Sequence, residues 1–125
     1  MYYLYSVEVI LDTNFIIACV KQKIDFISQL EEEGFSPILP REVFQELKDL
    51  KFKSSLSDRE AISVALALFS QAKIKKMTLG NRKVDEGLID KGKKGVYVAT
   101  LDSSLRRVIP HVIGIDSAKN KVLVR

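Results

Sequence analysis

Four acidic residues stand at positions where a parallel α/β sheet would bring them together. Asp12 directly follows the apolar run VEVIL, and Asp102 follows GVYVAT with one residue between them. Asp85 begins a predicted helix in KVDEGLI, and Glu46 lies beside the apolar stripe of the predicted helix REVFQELKDL. Ligands of parallel α/β sheets bind outside the carboxyl ends of the strands. We therefore expect these four carboxylates to converge at that edge of the sheet.

Converging carboxylates require a cation. Two like charges about 4 Å apart repel each other by about 4 kcal/mol at an effective dielectric constant of 20. Oxygen ligands without His or Cys are those that Mg²⁺ and Mn²⁺ prefer. Such a site can activate a water molecule and stabilise the leaving oxygen in phosphodiester cleavage. The pattern therefore predicts that Asp12, Glu46, Asp85 and Asp102 bind metal and carry catalysis.

Each of the four residues also has an ordinary structural explanation. Asp12 and Asp102 both precede predicted helices and can cap them, although neither is followed three residues later by the Glu or Gln of a capping box. Asp85 in a first helical turn is favoured by the helix dipole. Glu46 can be a solvated helix residue. The combination of all four favours the metal site over these separate explanations.

Positive charge is concentrated in the second part of the chain. Residues 1–72 contain 7 basic and 11 acidic side chains, a balance of −4, whereas residues 73–125 contain 13 basic and 5 acidic side chains, a balance of +8. An ordinary solvated surface explains any single lysine, but the regional bias fits a polyanionic partner such as RNA or DNA. The predicted nucleic-acid-binding residues are Lys75, Lys76, Arg82, Lys83, Lys93, Lys94, Arg106 and Arg107.

Apolar runs of strand length alternate with helical patterns along the chain. The predicted strands are VEVIL, SPILP, KKMTL, GVYVAT, VIGI and VLV. The predicted helices span about residues 14–21, 25–33, 41–50, 58–71, 84–91 and 103–108. This alternation predicts one α/β domain over residues 1–125, with a central, mainly parallel twisted sheet covered by helices on both faces.

Composition narrows the class of protein further. The single cysteine, Cys19, excludes an internal disulfide framework and is expected in the core of a protein in a reducing compartment. His111 is the only histidine, so no zinc site is expected. Acidic and polar residues interrupt the apolar amino terminus, so we expect no signal peptide, no membrane span and a cytoplasmic location. The helix at 58–71 is apolar nearly all round, which favours a homodimer.

Four motifs, in this order and at this spacing, resemble those of the PIN domain. This ribonuclease family includes VapC-type toxins and endonucleases that trim ribosomal RNA precursors. The motifs are ILDTN at 10–14, VFQEL at 43–47, KVDEGLI at 83–89 and ATLDSSLRR at 99–107. The resemblance covers essentially the whole chain. It implies a three-layer α/β/α sandwich in which Asp12, Glu46, Asp85 and Asp102 bind one or two divalent metal ions.

The resemblance also implies supporting roles for neighbouring polar residues. Thr13 and Asn14 match small polar residues that shape the first metal loop, and Thr100 matches the threonine that supports the last aspartate. Leu101 stands where relatives commonly carry Asn, and a pair of serines beginning at Ser103 replaces the more usual charged pair. Neither change removes a metal ligand. We count Ser103 as a supporting residue and expect substrate recognition near this loop to differ.

The function implied is a Mg²⁺- or Mn²⁺-dependent endoribonuclease acting on RNA. Two settings are open: a toxin paired with a small antitoxin protein, or an enzyme of ribosomal RNA processing. The alternative is a catalytically inactive PIN-fold module that binds RNA or protein. A phosphorylation receiver domain is disfavoured, because it needs an acidic pair after the first strand and an aspartate after the third. Here Thr13 follows Asp12, and SPILP ends in Pro40 followed by Arg41.

Overall fold

The computed structural model describes residues 6–80 and 82–124. The strands are β1 Val7–Leu11, β2 Phe35–Pro40, β3 Lys75–Met77, β4 Tyr97–Ala99, β5 Val112–Asp116 and β6 Lys121–Val124. The helices are α1 Thr13–Lys21, α2 Phe26–Glu32, α3 Arg41–Lys51, α4 Leu56–Gln71, α5 Val84–Lys93 and α6 Ser103–Val108. Every predicted strand and helix is present, and no end differs from its predicted position by more than two residues.

The six strands form one sheet in the order β3-β2-β1-β4-β5-β6. The first five run parallel to their neighbours, and β6 pairs antiparallel with β5. The chain moves outward from β1 to β3 and then crosses back to place β4 on the other side of β1. The strand order therefore reverses between β1 and β4, which is the point where such sheets form a ligand-binding crevice. The predicted, mainly parallel α/β sandwich is confirmed.

Two hydrophobic cores lie on opposite faces of the sheet. Val9 and Leu11 of β1 belong to the core formed with α1 to α4, whereas Ile10 packs with Leu88 of α5 and Leu105 of α6. Successive side chains of a strand point to opposite faces, so one apolar run supplies both cores. This explains why VEVIL is nearly continuously apolar and why helices cover both faces.

The apolar surface of α4 is used largely within the chain. Ala61, Ile62 and Phe69 are buried, and α1 and α3 pack against the helix. Leu56 and Val64 remain 68% and 56% exposed, so the homodimer stays a prediction. At 16 residues α4 is the longest described helix, and none of the helices within 6–80 and 82–124 is long and apolar enough to span a membrane.

Cys19 is a buried core residue, as expected. It belongs to the core between the sheet and α1 to α4. Burial raises the pKa of its thiol to about 12. Because the reactive thiolate is scarcely formed at neutral pH, this cysteine is chemically inert.

Two glycines bring α5 close to its neighbours. A Cβ atom at Gly87 would lie 2.8 Å from the Cβ of Leu79, and one at Gly92 would lie 2.6 Å from the Cγ2 of Ile109. Larger residues would overpack both contacts. The close approach fixes the position of α5, whose first turn carries Asp85.

Candidate active site

An open cleft of about 690 Å³ lies outside the carboxyl ends of β1 and β4, and all four predicted acidic residues line it. Asp12 follows β1, and Asp102 lies between β4 and α6. Glu46 comes from α3 on one face of the sheet, and Asp85 comes from α5 on the other. The structure thus brings together four residues that are spread over 90 positions of sequence, from 12 to 102.

Asp12 is buried and held by two hydrogen bonds. Its Oδ1 accepts a hydrogen bond from the backbone N–H of Thr13 at 2.8 Å, and its Oδ2 accepts one from the Thr100 hydroxyl at 2.7 Å. The backbone N–H of Asp12 also donates to the carbonyl of Ala99. Asp12 is the N-cap residue of α1, so the capping role and the place in the cleft belong to the same side chain.

Opposing influences act on the ionisation of Asp12. Burial raises the pKa of its carboxyl group, and the nearby carboxylates of Glu46 and Asp102 raise it further. The hydrogen bonds from Thr100 and Thr13 act against this increase, but the pKa remains above its ordinary value. Negative charge at this edge of the sheet is therefore incompletely compensated by the protein itself.

Thr100 connects the two strand-end aspartates. Its hydroxyl donates to Asp12 and accepts a hydrogen bond from the backbone N–H of Asp102 at 3.1 Å. The Asp102 Oδ1 in turn accepts from the backbone N–H of Ser104 at 2.9 Å and from the Ser104 hydroxyl at 2.7 Å. These bonds lower the pKa of Asp102. Asp102 therefore has a fixed orientation and stays ionised.

Ser104, rather than the predicted Ser103, holds Asp102. Ser103 is exposed and lines a separate shallow depression together with Arg106 and Arg107. The sequence carries a local signal for this position, because an Asp side chain often accepts from the backbone N–H two residues later, which here belongs to Ser104. The prediction from sequence selected Ser103 instead.

Thr13 and Asn14 lie at the start of α1 and line the cleft. The Oδ1 of Asn14 accepts a hydrogen bond from the backbone N–H of Leu101 at 3.1 Å, which joins the first turn of α1 to the loop after β4. The Thr13 hydroxyl is buried and has no hydrogen-bond partner among the described residues. Buried polar groups are usually paired, so this unpaired hydroxyl is an exception beside the cleft.

Glu46 and Asp85 form opposite walls of the cleft. Glu46 is half-buried, and its carboxylate is close enough to influence the ionisation of Asp12. Asp85 is exposed, and its Oδ1 accepts from the backbone N–H of Glu86 at 2.9 Å. Within 6–80 and 82–124, no three Asp, Glu, His or Cys side chains are grouped closely enough to hold a metal ion. The four carboxylates share one open cleft and do not form a closed cage.

Glu42 also lines the cleft, although it is not among the four predicted carboxylates. Its Oε1 accepts from the backbone N–H of Leu79 at 2.9 Å, and its Oε2 accepts from the Thr78 hydroxyl at 2.8 Å. Glu42 thereby ties the start of α3 to the segment that follows β3. Its partners lie 36 and 37 positions away, so no local pattern could have identified this role.

The predicted nucleic-acid-binding residues are distributed over several surfaces. Arg82 and Lys83 line the cleft. Arg82 and Lys94 both form ion pairs with Asp90, at 3.3 Å and 3.2 Å, and Lys93 is exposed at the end of α5. The cleft therefore receives its positive charge from the segment between β3 and α5.

Lys75 and Lys76 are adjacent in sequence but serve different surfaces. Lys75 forms an ion pair with Glu8 and lines a depression with Gly95, near the amino ends of β1 and β4 and away from the cleft. Lys76 lies near the ring of Phe44 on α3. Edge strand β3 thus presents the two lysines in opposite directions, as strand geometry requires.

The burial of Asp12 leads to a prediction about the stability of the metal-free protein. The pKa of Asp12 is higher in the folded protein than in the unfolded chain. The protonated side chain therefore stabilises the folded state fully at pH values below the unfolded pKa, and this stabilisation is lost as the pH rises through the folded pKa. We therefore expect the stability of Asp12→Asn relative to the wild type, measured as the denaturation midpoint in EDTA, to increase as the pH rises from about 3.8, the ordinary value for aspartate, to neutrality. The hydrogen bond that the amide loses shifts this difference by a similar amount at every pH.

The matched control is Asp25→Asn, because Asp25 is the exposed N-cap residue of α2 and does not line the cleft. Asn and Asp cap helices about equally well, so this control should not change the midpoint. A stability difference between Asp12→Asn and the wild type that does not change with pH would contradict the assigned burial cost.

Known proteins resemble the chain at two levels. A family model described as a PIN like domain matches residues 9–115. Eleven chains of known structure match the fold, among them the PIN domain endonuclease Utp24, with 23% sequence identity and a TM-score of 0.70 over 94% of this chain and 90% of that one. At this identity the structural match shows a shared fold. None of the curated proteins gives a significant match.

Proposed function

Because the chain belongs to the PIN-like domain family, we propose that it is a metal-dependent endoribonuclease that hydrolyses RNA phosphodiester bonds. The observation that carries the proposal is that Asp12, Glu46, Asp85 and Asp102 line one cleft where the strand order reverses. A solved relative with the same fold is an endonuclease, which supports a nuclease activity for this cleft.

The donor set fits a hard divalent cation. All four candidate ligands are carboxylates, so the donor set contains oxygen and no nitrogen or sulfur. Mg²⁺ usually retains several waters and binds through one or two carboxylates, so an open arrangement suits it better than a closed cage. A bound Mg²⁺ or Mn²⁺ would offset the negative charge around Asp12, activate water and stabilise the leaving oxygen. We assign Asp12 and Asp102 as the principal ligands, with Glu46 and Asp85 on the cleft walls.

The residues of the chain position the substrate and the ligands. Thr100 and Ser104 hold the two strand-end carboxylates by hydrogen bonds. Arg82 and Lys83 supply positive charge at the cleft, which attracts the RNA phosphates. Asp85 and Glu46 stand on opposite sides of the path that the RNA backbone would take.

The direct test is cleavage of end-labelled RNA in Mg²⁺, in Mn²⁺ and in EDTA. We expect internal cleavage with either metal and none in EDTA. Equal cleavage in EDTA would refute metal dependence. A complete lack of cleavage on varied RNAs would favour the alternative, a non-catalytic RNA- or protein-binding module. The observation that favours this alternative is the absence of a three-ligand metal group among the described residues.

Two biological settings use the same chemistry. In one the chain is a toxin neutralised by a small antitoxin protein, and in the other it processes ribosomal RNA precursors. A homodimer would use the exposed Leu56 and Val64 of α4. Copurification of a small protein with the tagged chain supports the toxin. Cleavage restricted to a ribosomal RNA precursor supports the processing enzyme.

A further inference from the structure

We propose that the surface around Phe44 is an accessory subsite for single-stranded RNA. The ring of Phe44 would stack on a base, and Lys48 and Lys76 would contact the flanking phosphates. This Phe44 subsite lies on α3 and edge strand β3, and a shallow depression there is lined by Leu39, Arg41, Phe44, Gln45 and Lys76. The inference rests on the proposed function, because RNA is the substrate proposed for the neighbouring cleft.

Two cations lie over one aromatic ring. The Nζ of Lys48 is 4.6 Å from the centroid of the Phe44 ring, and the Nζ of Lys76 is 5.6 Å from it. Phe44 is only half-buried, so its ring is accessible beside the lysines. Neither lysine forms a salt bridge with any residue in the described part of the chain. Their charge is therefore available to an anionic partner.

The Phe44 subsite continues from the catalytic cleft. Gln45 lines both the cleft and the depression beside Phe44. Arg41 follows the carboxyl end of β2, and Lys76 pairs in register with Leu39 near the carboxyl end of β3. The cleft opens at the same edge of the sheet, outside β1 and β4. A strand of RNA leaving the cleft past Gln45 would reach Phe44 directly.

Stacking of a base on the Phe44 ring is expected to be stronger than the contacts that the two lysines make with this ring. An exposed cation–π contact changes an equilibrium by about 2- to 5-fold. Stacking of one base on an aromatic side chain changes affinity by about 5- to 150-fold. A base can therefore displace a lysine from the ring, and the displaced ammonium can pair with a phosphate. Proteins that bind single strands without sequence preference combine these two contacts.

A purely structural role for Phe44 and the lysines beside it explains less of this surface than RNA binding does. Lysines on an edge strand discourage pairing with other chains, and the buried side of Phe44 packs against the core of α1 to α4. Lys75 on the same edge strand can also protect the edge, yet it forms an ion pair with Glu8. Lys75 is among the predicted nucleic-acid-binding residues, but it is paired with Glu8 and lies away from both the cleft and Phe44. It therefore provides a matched control with the same charge on the same strand and a different surface.

The test measures RNA binding by fluorescence anisotropy, with a fluorescein-labelled oligouridylate and EDTA present to prevent cleavage. We expect Phe44→Leu to bind about 5- to 150-fold more weakly and Phe44→Tyr to bind like the wild type. Lys76→Ala should reduce the slope of log affinity against log salt by about 0.7, whereas Lys75→Ala should leave the slope unchanged. Circular dichroism melts identify any variant that fails to fold, and Phe44→Tyr retains the packing volume.

Three results would overturn the subsite. These are no binding of oligouridylate by the wild type, wild-type affinity in folded Phe44→Leu, and equal salt slopes for Lys76→Ala and Lys75→Ala. The separate cleavage assay distinguishes this failure from failure of the proposed function. If the protein cleaves RNA but its affinity for RNA does not depend on Phe44, only the subsite is refuted. If RNA binding depends on Phe44 but no RNA is cleaved, the subsite is supported and the nuclease assignment is refuted.

Discussion

Asp12→Asn is expected to cleave RNA at about one thousandth of the wild-type rate or less, a loss of about 4 kcal/mol in transition-state stabilisation. The substitution keeps the size of the side chain and a hydrogen-bond acceptor, but it removes the charge and one carboxylate oxygen. Asp12 is the buried member of the acidic set, and the nearby carboxylates of Glu46 and Asp102 contribute to the increase in its pKa. It should therefore contribute most to cation binding. The measurement is a single-turnover cleavage rate at saturating Mn²⁺.

Two controls separate loss of a ligand from loss of a helix cap. Asp25→Asn changes an N-cap aspartate outside the cleft and should cleave like the wild type. Asp85→Asn should lose activity, whereas Glu86→Gln, its exposed neighbour outside the cleft, should not. Equal rates for the wild type, Asp12→Asn and Asp85→Asn would refute the metal-nuclease proposal. If Asp25→Asn lost as much cleavage activity as Asp12→Asn, loss of a helix cap alone would explain the effect at Asp12.

The elements of this fold are predictable because local patterns determine them. The run VEVIL ends at a helix-capping aspartate, and the apolar spacing of REVFQELKDL sets the buried face of α3. The meeting of Asp12 and Asp102 at one edge follows from parallel strand geometry. The sequence allowed Asp12 to be either a cap or a site residue, and the structure shows a cap that also lines the cleft.

The contacts that orient the site could not be predicted, because they join distant segments. Glu42 meets Thr78 and Leu79, and Asn14 accepts from Leu101 across 87 positions. No periodicity encodes these pairings. The distribution of the basic residues over the surface could not be predicted either, since the register of the edge strand decides on which face Lys75 lies. Composition correctly indicated a positive bias, but only the fold shows that Arg82 and Lys83 face the cleft.

Thr100→Val should lower the affinity for Mn²⁺ by about 10- to 100-fold, the usual effect of removing a group that orients a metal ligand. The Thr100 hydroxyl is fully buried and donates to Asp12 while accepting from the backbone N–H of Asp102. Valine has nearly the same shape, so it removes both hydrogen bonds without opening a cavity. The pKa of Asp12 should then rise further, because the Thr100 bond is the strongest influence that lowers it. Protons would consequently compete better with the cation.

The affected parameter identifies the role of Thr100. A positioning residue changes the Mn²⁺ concentration required for half-maximal cleavage, and high Mn²⁺ should restore most of the maximal rate. A residue that only supports the fold would lower the folded fraction at every Mn²⁺ concentration, since leaving a buried group unpaired costs about 1–3 kcal/mol of stability. Thr100→Ser keeps the hydroxyl and should recover the wild-type Mn²⁺ dependence. Failure of this rescue in a folded protein would show that the methyl group, rather than the hydrogen bonds to Asp12 and Asp102, is what the site requires.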